Sequence, residues 1–239
     1  MDLGEEVVAL DPIIQGIIQA IELIISGDPE VYRITELSLI ISISGTALSC
    51  IWSIPISAVL ALRNLPGKRV IKGLFNALIG IPTVALGLYL YLMLSRAGPF
   101  GYFHLMYTPS AIIIGQCILV TPIVVSFTTS ALESVDPEVR TLAKTLGASG
   151  MQMDAVVLRE ARAGVLLAIV AAFNRAFAEL GVAIMLGGNI RDLTRVLTTA
   201  IALQTEMGDI SLSLALALIL LSIVMTLSVI LSFARRSST

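Results

Sequence analysis

The chain has 239 residues, 56% of them hydrophobic and only 13% charged, with a net charge of −2. Soluble globular chains carry about a quarter charged residues, so this composition excludes an ordinary soluble domain and points to a membrane protein. The small, dispersed charge also leaves no basic footprint for nucleic acid.

The N-terminal run MDLGEEVVALDP is acidic where a secretory signal is basic, so no cleavable signal peptide is expected. In the following PIIQGIIQAIELIIS, the residues Gln15, Gln19, Glu22 and Ser26 fall on one helical stripe opposite Ile and Leu. That pattern predicts an amphipathic helix in the membrane interface, the alternative being a sixth, tilted span. Residues 1–33 are thus read as an external segment, 34–234 as one transmembrane domain, and 235–239 as a short cytoplasmic tail.

A bilayer core of about 30 Å needs roughly 20 apolar helical residues. Stretches 37–62, 73–95, 109–132 and 210–234 meet this without a charge, and 163–187 meets it while carrying Arg175 and Glu179. Open strands cannot cross lipid because their backbone groups would go unpaired, so the expectation is an all-α protein with about five spans. Pro55, Pro82 and Pro122 lie inside spans and should bend them. The run IGIPTVALG marks the second span as the one most prone to break. Cys50 and Cys117 sit in apolar runs and imply no disulfide framework, and the lone His104 has no partner at metal-ligand spacing.

Arg63, Lys68, Arg69 and Lys72 follow the first span, Arg140, Lys144, Arg159 and Arg162 follow the third, and Arg235 and Arg236 follow the last. The alternate side holds only Arg33, Arg96, Arg191 and Arg195. The positive-inside rule therefore places the N-terminus outside and the C-terminus in the cytoplasm of a multi-pass plasma-membrane protein.

The loop after the third span is unusually polar. Its SVDPEVR start supplies Asp136 as a cap and Pro137 at the first helical position. Val139, Leu142, Ala143 and Leu146 then share a face, with Arg140 and Lys144 off it. Gly147 and Gly150 interrupt the helix before a second helical run. An apolar face on a cytoplasmic elbow must either fold back on the spans or meet a soluble partner, and patterning leaves both open.

Within this elbow, LAKTLGAS with Gln152 and the hydrophobic run behind it resembles the cytoplasmic signature of ABC importer permeases. Ala143, Gly147, Ala148, Ser149, Gln152 and Leu158 fit that signature. Thr141 and Leu142 stand where Glu and Ala are usual, and LREAR replaces the usual Leu-Pro ending. The resemblance implies a type I (MetI-like) permease fold with coupling helices over 138–158. Ala143, Thr145, Leu146, Gly147, Ala148, Ser149 and Gln152 would then meet an ABC ATP-binding subunit. No Gly-x-x-x-x-Gly-Lys-Ser/Thr loop is present, so ATP and Mg are expected on that partner, with no cofactor and no catalysis on this chain. Five spans make a thin pore, so a homodimer around one path, in contact with membrane lipid, is expected; the resemblance also implies an extracytoplasmic binding protein that delivers the solute.

A second stretch, FNRAFAELGVAIMLGGNIRDLTRVLTTAIALQTEMGD, looks like the corresponding region of permeases for tetrahedral oxyanions, the tungstate branch above all. Molybdate, sulfate and phosphate permeases are the alternatives. Arg175 and Glu179 lie four apart and can pair. Intramembrane charges face a bundle interior or a wet path, so the pair either locks the bundle or biases the path toward anions. Gly187 and Gly188 end the helix, and Asn189 follows in the external loop. Arg191 and Arg195 would then face outward, to meet the binding protein or an incoming dianion, or simply water. A gradient-driven transporter would show inverted repeats and several midplane charges, whereas only one span here carries charge. The absence of a His-Glu-x-x-His motif argues against a zinc-dependent intramembrane enzyme.

Overall fold

The computed structural model describes the backbone of residues 3–236 and the side chains of residues 14 and 16–230. The basic tail residues Arg235 and Arg236 therefore lie outside the described side chains. Eleven α-helices are present among the described residues: α1 (Leu3–Ser26), α2 (Pro29–Leu62), α3 (Lys68–Leu78), α4 (Thr83–Leu94), α5 (Pro109–Glu133), α6 (Pro137–Thr145), α7 (Gly150–Glu160), α8 (Arg162–Phe177), α9 (Gly181–Gly187), α10 (Leu197–Met207) and α11 (Ile210–Arg236). α2, α5 and α11 are each long and apolar enough to cross a membrane, and the bent pairs α3–α4 and α8–α9 bring the number of spans to five.

α2 starts earlier than its charge-free stretch because its cap lies further upstream. Asp28 accepts hydrogen bonds from the backbone N–H of Glu30 (2.9 Å) and Val31 (3.0 Å), and Pro29 takes the first helical position. The resulting 34 residues are about 51 Å long, well beyond the hydrocarbon thickness. α2 runs through Pro55 and α5 through Pro122 without interruption. Of the three prolines read inside spans, only Pro82 sits at a break, in the second span as expected.

α2 and α5 form the most extensive helix contact among the described residues. Their seam is built from small polar residues: Gly45, Thr46, Ser49, Ser53 and Ser57 of α2 are all buried. Ser49 lies 3.1 Å from Thr121, and Trp52 donates to the same hydroxyl at 3.1 Å. Ser57 donates to the carbonyls of Ser53 (2.6 Å) and Val125 (3.2 Å). Lipid supplies no hydrophobic drive between helices, so close approach of small residues and interhelical hydrogen bonds hold such pairs together.

The two spans read from the sequence as 73–95 and 163–187 are not straight. α3 and α4 are bent by 98° about residues 79–82, and α8 and α9 by 58° about 178–180. The first break sits at Gly80–Pro82, where Pro82 removes a donor and the chain stays extended. The second has no proline and is held by side chains described below. The second halves of the two spans meet each other. A Cβ on Gly87 of α4 would come within 3.1 Å of the Gly181 carbonyl, and one on Gly181 within 2.9 Å of the Val84 nitrogen. Leu86, Leu90 and Leu94 complete this contact with Val182 and Leu186.

α10 and α11 form a hairpin turned by Gly208 at φ +81°, with Thr205 and Ser213 hydroxyls 2.7 Å apart. α1 packs along the start of α11. Its buried face is Gly16 and Ala20, with Gln19 hydrogen-bonded to Ser211, whereas Ile14, Ile17, Ile18, Ile21 and Ile25 are exposed. The amphipathic helix thus leans on its own bundle through small residues and leaves its isoleucine face free. Its apolar stretch, Gly16–Ile25, is short of a full span.

Candidate functional site

Three regions gather the residues of interest: the elbow at one end of the bundle, the break between α8 and α9, and the loop at the far end.

In the elbow, Asp136 accepts from the N–H of Glu138 at 2.9 Å and starts α6. α6 stops at Leu146, and Gly147 follows at φ +83°. A left-handed angle there costs glycine little, and the Ala148 N–H can turn back to the Ala143 carbonyl at 3.0 Å. Ser149 and Gln152 form a reciprocal cap on α7: the Ser149 N–H donates to Gln152 Oε1 (2.8 Å) and the Gln152 N–H to Ser149 Oγ (3.4 Å). Two of the signature residues therefore have a local structural task. α7 folds back on the bundle, with Val157 buried among Ala61, Leu132 and Val165, and Asp154 paired to Arg63 at the end of α2. α6 does the opposite. Ala143 is buried and Val139 half-buried, but Leu142 and Leu146 are 62% and 79% exposed, and Met151 opposite them is 83% exposed. Of the two outcomes left open by patterning, α7 takes the first, folding back on the spans, while the tip of the elbow leaves its apolar residues exposed. Lys144 and Thr145 complete this exposed tip, the Thr145 hydroxyl donating to the Leu142 carbonyl at 2.8 Å.

At the α8–α9 break, Arg175 lies in the last turn of α8, while Glu179 lies in the non-helical turn after it. Arg175 Nη1 donates to Glu179 Oε2 at 2.5 Å. The Glu179 side chain is only 2% exposed, that of Arg175 35%. Glu179 Oε1 also accepts the Val182 N–H (3.1 Å), and its carbonyl accepts the Thr198 hydroxyl (2.7 Å). Gln116 of α5 donates to the Ala176 carbonyl at 3.0 Å, which also accepts the Glu179 N–H at 3.2 Å. One carboxylate therefore neutralises Arg175 and caps α9, so the 58° bend is a built feature. Gln116 and Thr198 were not legible as site residues, because each acts through a partner far away in sequence.

At the far end, Gly188 caps α9 at φ +68°, and Asn189 follows at φ +51°. Gly187 is buried, where a Cβ would come within 2.6 Å of Ile112. Asn189 donates to the Thr199 carbonyl (3.3 Å). Arg191 and Arg195 are not free. Arg191 donates to Glu30 Oε2 at 2.7 Å and Arg195 to Oε1 at 3.4 Å, while Arg33 pairs with Asp192. Glu30, on the first turn of α2, thus straps the loop to the bundle. Sequence reading found the two arginines but not the carboxylate that holds them.

Broken spans around a small-residue post, with a two-helix elbow at one end, define the membrane component of a transport system. The model of the family described as "Binding-protein-dependent transport system inner membrane component" matches residues 53–237, and the chain belongs to that family. The fold is the type I ABC importer permease fold. A chain of the inward-facing MetNI methionine ABC transporter superposes with a TM-score of 0.69 at 16% identity, over 88% of this chain and 96% of that one. Among relatives, the chain is 38% identical to the tungstate uptake system permease protein TupB of Peptoclostridium acidaminophilum, over 90% of this chain and 94% of that protein. It is 40% identical to a probable anion ABC transporter permease protein of Haloferax volcanii, over 80% and 85% of the two chains.

Proposed function

We propose that the chain is the permease subunit of an ATP-driven tungstate importer. It works as a homodimer in the plasma membrane with its N-terminus outside and C-terminus in the cytoplasm. The observation that carries the substrate is the agreement with a protein named as a tungstate uptake permease along 90% of this chain. The chain itself performs no covalent chemistry and binds no cofactor; ATP and Mg act on an ABC ATP-binding subunit, and an extracytoplasmic oxyanion-binding protein delivers the anion.

The geometry supports a lever. The exposed Leu142, Leu146 and Met151 offer an apolar knob to the ATP-binding subunit, while Asp154–Arg63 and Val157 tie the same elbow to α2 and α5. Displacement of the elbow therefore reaches the α2–α5 post and α8 directly. The α8–α9 break turns with it, and Arg175, a third exposed beside a buried carboxylate, gives the path an anion preference without a full unpaired charge. A half-neutralised arginine suits an ion that must also leave.

The test is ATP hydrolysis by the chain reconstituted in liposomes with its ATP-binding subunit and binding protein, titrated with tungstate, molybdate, sulfate and phosphate. Stimulation by tungstate supports the reading. Stimulation by another of these anions and not by tungstate keeps the machine and replaces the cargo. Failure to form any complex with an ATP-binding subunit overturns the coupling role.

A further inference from the structure

α3 is unlike every other span segment. Its first five residues carry Lys68, Arg69 and Lys72, and Lys68–Leu78 contains no acidic residue. On a helical projection Lys68, Lys72, Asn76, Arg69 and Gly73 occupy one arc, and Val70, Leu74, Ile71, Leu78 and Phe75 the opposite one. None of the helix's residues is buried. Val70 is 76% exposed and Leu74 58%.

The placement of this helix is what gives the pattern meaning. Lys68 and Lys72 share Glu133, the last residue of α5, at 2.9 and 2.5 Å, and Lys68 also donates to the Ala61 carbonyl near the end of α2 at 3.2 Å. Just beyond α3, Ile79 packs against Val120, Ile123 and Val124 in the middle of α5. The basic turn therefore sits at the elbow-side border of the membrane and the apolar end dips into it. Two of the three cations share one carboxylate, and Arg69 has no carboxylate partner among the described residues. The unpaired Arg69 lies at the edge of the basic arc, one residue from Val70, which with Leu74 forms an uncovered apolar flank. A soluble protein partner would not reach that apolar flank; a phospholipid would satisfy both halves, its phosphate at Arg69 and Lys72 and its acyl chains along the flank.

We propose that the basic turn of α3, centred on Arg69 and Lys72, binds the headgroup of an anionic phospholipid in the leaflet bordering the elbow. This site does not depend on which anion the protein transports. A lipid phosphate there competes with Glu133 for Lys72, so the lipid would also set how tightly α3 is tied to α5.

The experiment purifies the full chain with its ATP-binding subunit from nanodiscs containing equal phosphatidylglycerol and phosphatidylcholine, and counts retained lipids by native mass spectrometry. The wild-type complex should retain phosphatidylglycerol in preference. Arg69→Gln should lower that preference about fivefold, the worth of one basic residue at the surface, and Arg69→Lys should preserve it. Arg96→Gln, in the far loop, should leave it unchanged. Equal retention of the two lipids by wild type, or an undiminished preference in Arg69→Gln, overturns the proposal. If only soluble phosphate or a protein chain competes at this turn, and phosphatidylglycerol does not, the site belongs to another ligand and the lipid assignment fails. Lipid retention is read without transport, so a wrong substrate assignment would not affect it.

Discussion

Arg175 and Glu179 are one helical turn apart and joined at 2.5 Å, yet they belong to different parts of their span: one ends α8, the other forms the turn that launches α9. A pair within a straight helix would only cancel charge. Here the carboxylate also holds the Val182 N–H, so the ion pair and the bend are one device.

That double duty separates two substitutions. Glu179→Ala should lower stability by about 2–4 kcal/mol, from a lost buried cap and an arginine left without its partner. Glu179→Gln keeps an oxygen for Val182 and should lose about half as much. Thermal midpoints in one detergent measure the difference; equal losses would mean that the cap contributes nothing.

At Gly147 an added Cβ would meet nothing within 4 Å, but the backbone is at φ +83°. Gly147→Ala therefore causes no clash and only strain, about 1–3 kcal/mol at a left-handed position. The span bundle should fold normally while the elbow tip shifts. The expected result is an unchanged thermal midpoint for the spans with substrate-stimulated ATP hydrolysis reduced at least about fivefold, the equivalent of 1 kcal/mol of coupling.

Gly115 of α5 faces α9 so closely that an added Cβ would press on Val182 Cγ1 and lie 2.6 Å from Leu186 Cδ1. Gly115→Ala should cost about 1–3 kcal/mol through overpacking. Val182→Ala introduced alongside it should recover part of that loss, because the two share one space. A double-mutant cycle on thermal midpoints that showed simple additivity would contradict this contact.

Much of the machine was readable because its signals are local. Asp136–Pro137 names a helix start, Gly147 a helix end, Pro82 a break, and four-residue spacing an ion pair. What escaped depends on residues distant in the chain. The bend at 178–180 has no proline or glycine inside it; it follows from Glu179, Thr198 and Gln116 meeting across three elements. The serines of α2 carry no signal of their role, since nothing in their own stretch names α5 as the neighbour. α10, with eleven residues, is too short to register as a span.

Glu30 provides a fourth prediction, at the far end. Its pairs with Arg191 and Arg195 are partly exposed and should each contribute only about 0.2–1 kcal/mol, so Glu30→Gln should scarcely change stability. It should release two arginines toward an arriving binding protein. Surface charge governs encounter rate more than affinity, so association with an acidic binding protein should accelerate at low salt and return to the wild-type rate at high salt. A salt-independent rate identical to wild type would show that the strap is only structural.

The serine and threonine seam between α2 and α5 also has a consequence for biogenesis. Two helices that recognise each other through Gly45, Ser49, Ser53 and Thr121 have a means of pairing inside lipid. α3 and α4 leave the ribosome between them but are jointed and share less surface with their neighbours. The order of assembly should therefore differ from the order of synthesis: the first and third spans meet early, and the jointed segments are fitted around them afterwards. A single leucine in that seam would then act during insertion, lowering the yield of folded protein more than the activity of the molecules that do fold.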